Sequence, residues 1–131
     1  MREQYPCRWS SFLEANDDSS GYFVMVNAQN EVIGHAGYLL QHSKGRYEIV
    51  GVVTCKDWLR RGVGASLIAA ICQKAKERGH DEVVLYTLDH ERNQAALAFY
   101  DRLGFQAVHL EKDYYQPGYH RLTLVKSLET E

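Results

Sequence analysis

The segment Leu59-Arg60-Arg61-Gly62-Val63-Gly64-Ala65 holds the densest chemistry in the chain. An apolar, β-branched run precedes it. Behind it Val63, Leu67, Ile68, Ile71, Cys72 and Ala75 recur at helical spacing. The motif therefore lies where a strand turns into a helix. The first turn of a helix presents unpaired N–H groups and about half a positive charge. Glycines let another group come close to that backbone, and two adjacent arginines add charge. Such a turn suits a phosphate or pyrophosphate. Three ligand classes compete for it, beside the plain reading of a helix start with two solvated arginines. An ATP or GTP loop requires GxxxxGK[ST], and no Lys-Ser or Lys-Thr follows Gly64. A dinucleotide turn requires GxGxxG, but the third glycine position is Leu67, and the nearest acid, Glu82, opens the next strand instead of closing it. Coenzyme A is the third class.

The elements around this turn are readable from pattern. Tyr22–Asn27, Val32–Gln41 and Arg46–Cys55 are β-rich runs separated by turn residues, which predicts an antiparallel meander. A helix with Gly79 as its C-terminal cap follows. Glu82–Leu88 is a nearly continuous apolar run, the pattern of a strand buried on both faces. A right-handed crossover makes it parallel to the strand before the helix. A second helix is expected from Asn93 to Leu103, then strands at Phe105–Leu110 and around Leu122 and Leu124. The expected fold is α/β, with a mixed sheet. The chain has 131 residues, no repeat and no linker-like run, so one domain over 1–131 is expected.

The second segment, Asn93-Gln94-Ala95-Ala96-Leu97-Ala98-Phe99-Tyr100-Asp101-Arg102-Leu103-Gly104-Phe105, narrows the choice. With the glycine turn, it resembles the GNAT superfamily of acetyl-CoA-dependent N-acetyltransferases. That family carries [QR]xxGxG[AG] at one helix start and N…A…FY…LGF on the next. The resemblance spans roughly residues 21–126. It implies a twisted, mostly antiparallel sheet around a central βαβ unit that binds coenzyme A.

Residue by residue, the resemblance places the pantetheine arm along Val52, Val53 and Thr54, and the pyrophosphate against Leu59, Arg60, Arg61, Gly62, Val63, Gly64 and Ala65. Leu59 replaces the usual Gln or Arg. Lys56 and Arg92 are weaker candidates for the ribose phosphate. Asn93 matches an asparagine that contacts the coenzyme arm; read alone it is a helix N-cap. Tyr100, two turns further along that face, matches the tyrosine beside the thioester sulfur, and a phenol can protonate a departing thiolate. Glu48 sits on the strand, and at the spacing, of the base in histone-type members. Val84–Leu88 carries no carboxylate, so the base of other members is missing there. His35 is a weaker candidate, and Cys55 reads as a small buried hydrophobe because transfer is direct.

For the acceptor, Lys112–Tyr119 reads as a loop joining the last two strands. Its Tyr114 and Tyr115 resemble the pair flanking the peptide in ribosomal-protein N-terminal acetyltransferases. The expected function is acetyl transfer to a primary amine of unknown identity. The alternatives are a non-catalytic acetyl-CoA-binding regulatory module and a peptide N-terminal acetyltransferase. The family begins with a strand and two helices, whereas about twenty residues precede Tyr22, so the resemblance implies a shortened acceptor wall or one completed by a partner. Family members are often dimers, which leaves a homodimer open.

Composition agrees. Fifteen Lys and Arg against seventeen Asp and Glu give a net charge of −2, which argues against nucleic-acid binding. No apolar stretch is long enough to span a membrane, and the first residues lack the apolar core of a secretory signal. Three cysteines without a CxxC pair read as reduced thiols and offer no metal site. A cytoplasmic location follows as the expectation.

Overall fold

The computed structural model describes residues 19–41, 43–55 and 62–128. Six strands form one sheet in the order β1-β2-β3-β4-β6-β5. They are β1 (Ser20–Val26), β2 (Val32–Gln41), β3 (Arg46–Thr54), β4 (Glu82–Asp89), β5 (Gln106–Gln116) and β6 (Tyr119–Ser127). Helix α1 (Val63–Glu77) joins β3 to β4, and α2 (Gln94–Arg102) joins β4 to β5 through a 3-10 turn at Glu91–Asn93. Every neighbouring pair is antiparallel except β3 and β4. The meander, the parallel crossover and both helices agree with the pattern. Residues 1–18 and 56–61 lie outside the described segments, so the expectations for the N-terminus, Lys56, Leu59, Arg60 and Arg61 fall there.

The turns have local causes. The Asn27 side chain accepts from the amides of Gln29 and Glu31, closing the β1–β2 turn. At the end of α1, Gly79 takes φ 85°, and His80 N–H donates back to the Ala75 carbonyl, a Schellman ending.

Alternation sorts the sheet into two faces. Ala36, Tyr38, Tyr47, Ile49, Val83 and Leu85 are buried against Leu67, Ile68, Ile71 and Ala75 of α1. Phe99, Tyr100 and Leu103 of α2 pack against the same core. Gln41, Arg46, Glu48, Glu82, Val84 and Tyr86 point to the other face; Gln41, Arg46, Glu82 and Tyr86 bond one another there.

Two sequence expectations change. β5 runs on to Gln116, so Tyr114 and Tyr115 stand on a strand and the turn is only Pro117-Gly118. The sequence pattern hid this because β5 is an edge strand with both faces largely in water, and it lacks an apolar alternation. Cys55 is fully buried at the end of β3, as expected, but it is disulfide-bonded; Cys72 is a free thiol.

Candidate active site

The site is built on a fork in the sheet. β3 and β4 are paired only at Tyr47–Val83 and Glu48–Val84. Beyond those pairs β3 continues to Thr54, held by β2, while β4 continues to Asp89, held by β6. The divergence has a cause within β3. Gly37 pairs with Val50 but His35 pairs with Val53, so β3 carries a bulge at Gly51 and Val52. Gly51 takes φ 60°, which glycine adopts without strain. A bulge bends its strand and increases the local twist. The Tyr22 ring crosses Gly37 and ends at Gly51; a Cβ on Gly37 would meet the ring at 3.0 Å. One arm of the fork is thus the backbone of Val52, Val53 and Thr54, unpaired with β4.

The other arm is fastened by Asn93. Its side-chain amide donates to the Leu88 carbonyl at 2.6 Å and to Thr87 Oγ1 at 3.1 Å. Asn93 makes no side-chain cap bond, contrary to the plain reading of it. The chain enters α2 through a 3-10 turn, which carries the amide back to β4. Its Oδ1 accepts no bond among the described residues.

The base of the fork is the start of α1. No side chain caps this helix, and its first turn holds no acid. The amides of Val63, Gly64 and Ala65 precede the first intrahelical donor, Ser66, which bonds Gly62. A Cβ on Gly64 would stand 3.3 Å from the Phe99 ring and 3.6 Å from Thr54 Oγ1. Glycine there lets the helix start nest between the β3 arm and α2. Among the described residues these donors have no partners and no acid competes for them, and with the bare backbone they fit a bound pyrophosphate.

Two titratable groups flank the fork on opposite faces. Glu48 stands at its crotch, on the face away from α1, half-buried and without a hydrogen bond or ion pair among the described residues. Tyr100 lies on the α1 side, tilted against Phe99 and edge-on to Phe105. Burial raises its pKa above the ordinary phenol value, so the hydroxyl keeps its proton at neutral pH. His35 is buried beside Tyr22, and burial lowers its pKa, which leaves a neutral imidazole. Glu82 is engaged with Arg46, and Arg92 is exposed with its amide on His90.

The structure thus brings Thr54, Gly64 and Phe99 together at one end of the fork, and Asn93 to the β4 arm. Tyr114 and Tyr115 lie instead on the β5–β6 hairpin. Thr87, Phe99 and Tyr86 are site neighbours that the sequence reading missed. Phe99 alone had a signal, being half of the Phe-Tyr pair.

A forked sheet with a bare helix start at its base defines a coenzyme-binding α/β protein. The model of the acetyltransferase (GNAT) family matches residues 1–105, and the chain belongs to that family. Acetyl-CoA is the cosubstrate of GNAT acetyltransferases. Among relatives, a mycothiol acetyltransferase of Clavibacter sepedonicus is 32% identical over 101 residues, 77% of this chain and 32% of its own. The N-alpha-acetyltransferase 30 of Schizosaccharomyces pombe is 31% identical over 98 residues, 75% of this chain and 59% of its own. The chain therefore spans about a third of the former and under two thirds of the latter. A Bacillus anthracis structure, assigned as a streptothricin acetyltransferase and solved with acetyl coenzyme A, superposes with a TM-score of 0.81 at 20% identity, over 96% of this chain and 71% of that one. The ribosomal-protein-S18-alanine N-acetyltransferase of Escherichia coli gives 0.73 at 17% identity, over 97% and 81%. Among the described residues no helix is long and apolar enough to cross a membrane.

Proposed function

We propose that this chain transfers acetyl from acetyl-CoA directly to a primary amine. The observation that carries the reading is the fork: a strand edge not paired with β4, beside a helix start that no described side chain caps, with a carboxylate at the crotch that is unmatched among the described residues.

The residues divide the work by face. Amides of Gly62 to Ala65 hold the pyrophosphate, with Leu59, Arg60 and Arg61 as the preceding part of the motif. The β3 edge at Val52, Val53 and Thr54 bonds the pantetheine arm and offers amides to the carbonyl oxygen. Acetyl-CoA supplies an activated thioester. An aliphatic ammonium has a pKa near ~10.4, so it must lose a proton before it attacks. Glu48, on the opposite face from α1, takes that proton, directly or through a water. Tyr100, on the α1 side, donates its phenolic proton to the sulfur as the carbon–sulfur bond breaks, and regains one from solvent. Base and acid thus serve opposite ends of one displacement.

A peptide N-terminus is a second reading, favoured by the paired Tyr114 and Tyr115 and by the N-alpha-acetyltransferase among the relatives. Thiol release from acetyl-CoA over a panel of amines and short peptides tests both. Transfer is expected with at least one acceptor, and Glu48→Gln is expected to cut it. Tight acetyl-CoA binding with no transfer to any acceptor would leave a regulatory module instead.

A further inference from the structure

The face of the sheet away from α1 carries a chain of side-chain contacts that the coenzyme site does not use. Arg121 of β6 places its Cζ 4.1 Å from the Tyr114 ring centroid and 4.5 Å from that of Tyr86. Its Nε donates to Glu111 Oε1. The Tyr86 hydroxyl accepts from Gln41 Nε2 at 2.9 Å, and Gln41 Oε1 accepts from Arg46 Nε at 2.9 Å. Arg46 completes the chain on Glu82 at 2.6 Å. These contacts run from β2 to β5, across the crotch where Glu48 stands.

Two consequences follow. Tyr114 lies on an exposed edge strand whose register is irregular between Glu111 and Gln116. Its ring is half exposed, and its ring contacts among the described residues are Arg121 and an edge-on Tyr115 at 5.0 Å. Arg121 is therefore the group that ties Tyr114 to the β4 arm. Second, Arg46 and Arg121 each engage a glutamate, so of the five charges in this chain of contacts and its crotch only Glu48 is unmatched among the described residues.

We infer that Arg121 is a positioning residue for the acceptor: it fixes Tyr114 over Tyr86 as an aromatic wall leading to Glu48. The acceptor that this wall fits is a cationic primary amine on an aromatic or apolar body. Guanidinium is suited to the task because its flat face stacks on rings while its edge bonds a carboxylate; an ammonium cannot do both. The inference rests on the transfer reading above.

The test uses the full chain, acetyl-CoA, and phenethylamine and an alanyl tripeptide amide as probes, followed by thiol release. Arg121→Lys keeps the charge and loses the flat stack. Its KM for the better probe should rise about fivefold, while the KM for acetyl-CoA stays within roughly twofold. Tyr114→Ala should give the same rise, and the double variant no further rise, because the two residues act as one unit. An unmoved acceptor KM, a matching rise for acetyl-CoA, or additive effects in the double variant would each overturn the inference while leaving the transfer reading intact. A wild type that acetylates neither these probes nor any other amine overturns the transfer reading, and this inference with it. Arg121→Gln serves as the second variant should Arg121→Lys melt early.

Discussion

The α1 side of the sheet and the β5–β6 hairpin are held together in different ways. On the α1 side, the helix buries Val63, Leu67, Ile68, Ile71, Cys72 and Ala75 in one continuous core. On the hairpin, β5 is exposed at every position except the half-buried Glu111. What orders its end is charge and stacking: Arg121 on Glu111 and Tyr114, and His90 flat against Tyr119 at 4.1 Å. The fork proposed to receive the coenzyme inherits its shape from the core, so changing it threatens the fold. The proposed acceptor side rests on contacts worth little to overall stability, so it can change while the fold survives.

The strongest way to test this contrast is to cut into the core. Ile71 is fully buried, and Ile71→Ala should remove ~3 kcal/mol, lowering the melting midpoint on the order of 10 °C. Next comes the chemistry held by that core. Tyr100→Phe should lower kcat about 100-fold with little change in the acetyl-CoA KM. As the proposed acid, Tyr100 works only while protonated, so activity should fall as pH rises through its pKa. Burial sets that pKa above the ordinary value, so the falling limb should lie above about pH 10 and vanish in Tyr100→Phe. A smaller effect is expected at the end of α2, where Lys126 Nζ donates to the Leu103 carbonyl at 2.7 Å. Lys126→Met should cost ~1 kcal/mol in denaturant unfolding, because the helix loses a cation on its C-terminal carbonyls.

His35 probes the opposite face through pH. Its pKa is lowered in the fold by burial, so the unfolded chain takes up the proton first as pH falls. Its contribution to stability is complete above the ordinary value of about 6.5 and declines below it. Melting midpoints should drop from pH 7 to pH 5, and drop less in His35→Leu. The smallest effect belongs to the hairpin. Val108 is 58% exposed on the edge strand, and Val108→Lys should move the unfolding free energy by no more than about 0.5 kcal/mol. A loss like that of Ile71→Ala would refute the contrast.

The two regions also differed in how far they could be read from sequence. Strands of the meander and the α1 stripe announce themselves because burial on one side imposes a period, as with Leu67, Ile71 and Ala75. The glycine turn and the Asn93–Tyr100 spacing were legible because backbone geometry demands particular residues. Lys112–Gln116 showed no such period, since neither side of that strand is covered. The placement of β6 between β4 and β5 is a long-range pairing with no local signature. Tyr86, Tyr114 and Arg121 meet only through that pairing. Asn93 stands at the start of α2 as the pattern implies, but its amide bonds β4 instead of capping the helix, because the 3-10 turn that redirects it leaves no distinctive residue pattern.

The bulge at Gly51 does more than bend its strand. Before it, Tyr47 and Ile49 face the core while Glu48 and Val50 face away; after it, Val52 packs toward the core, Val53 pairs with His35, and Thr54 meets Gly64. The even-numbered residues have changed sides. One supernumerary glycine thus acts as a phase inverter within a single strand. With Gly51 retained but the bulge drawn out into regular alternation, Val52 and Thr54 would turn outward and Val53 inward, yet Glu48 would stay where it is. The proposed coenzyme arm and the proposed base are written on one strand in two different reading frames.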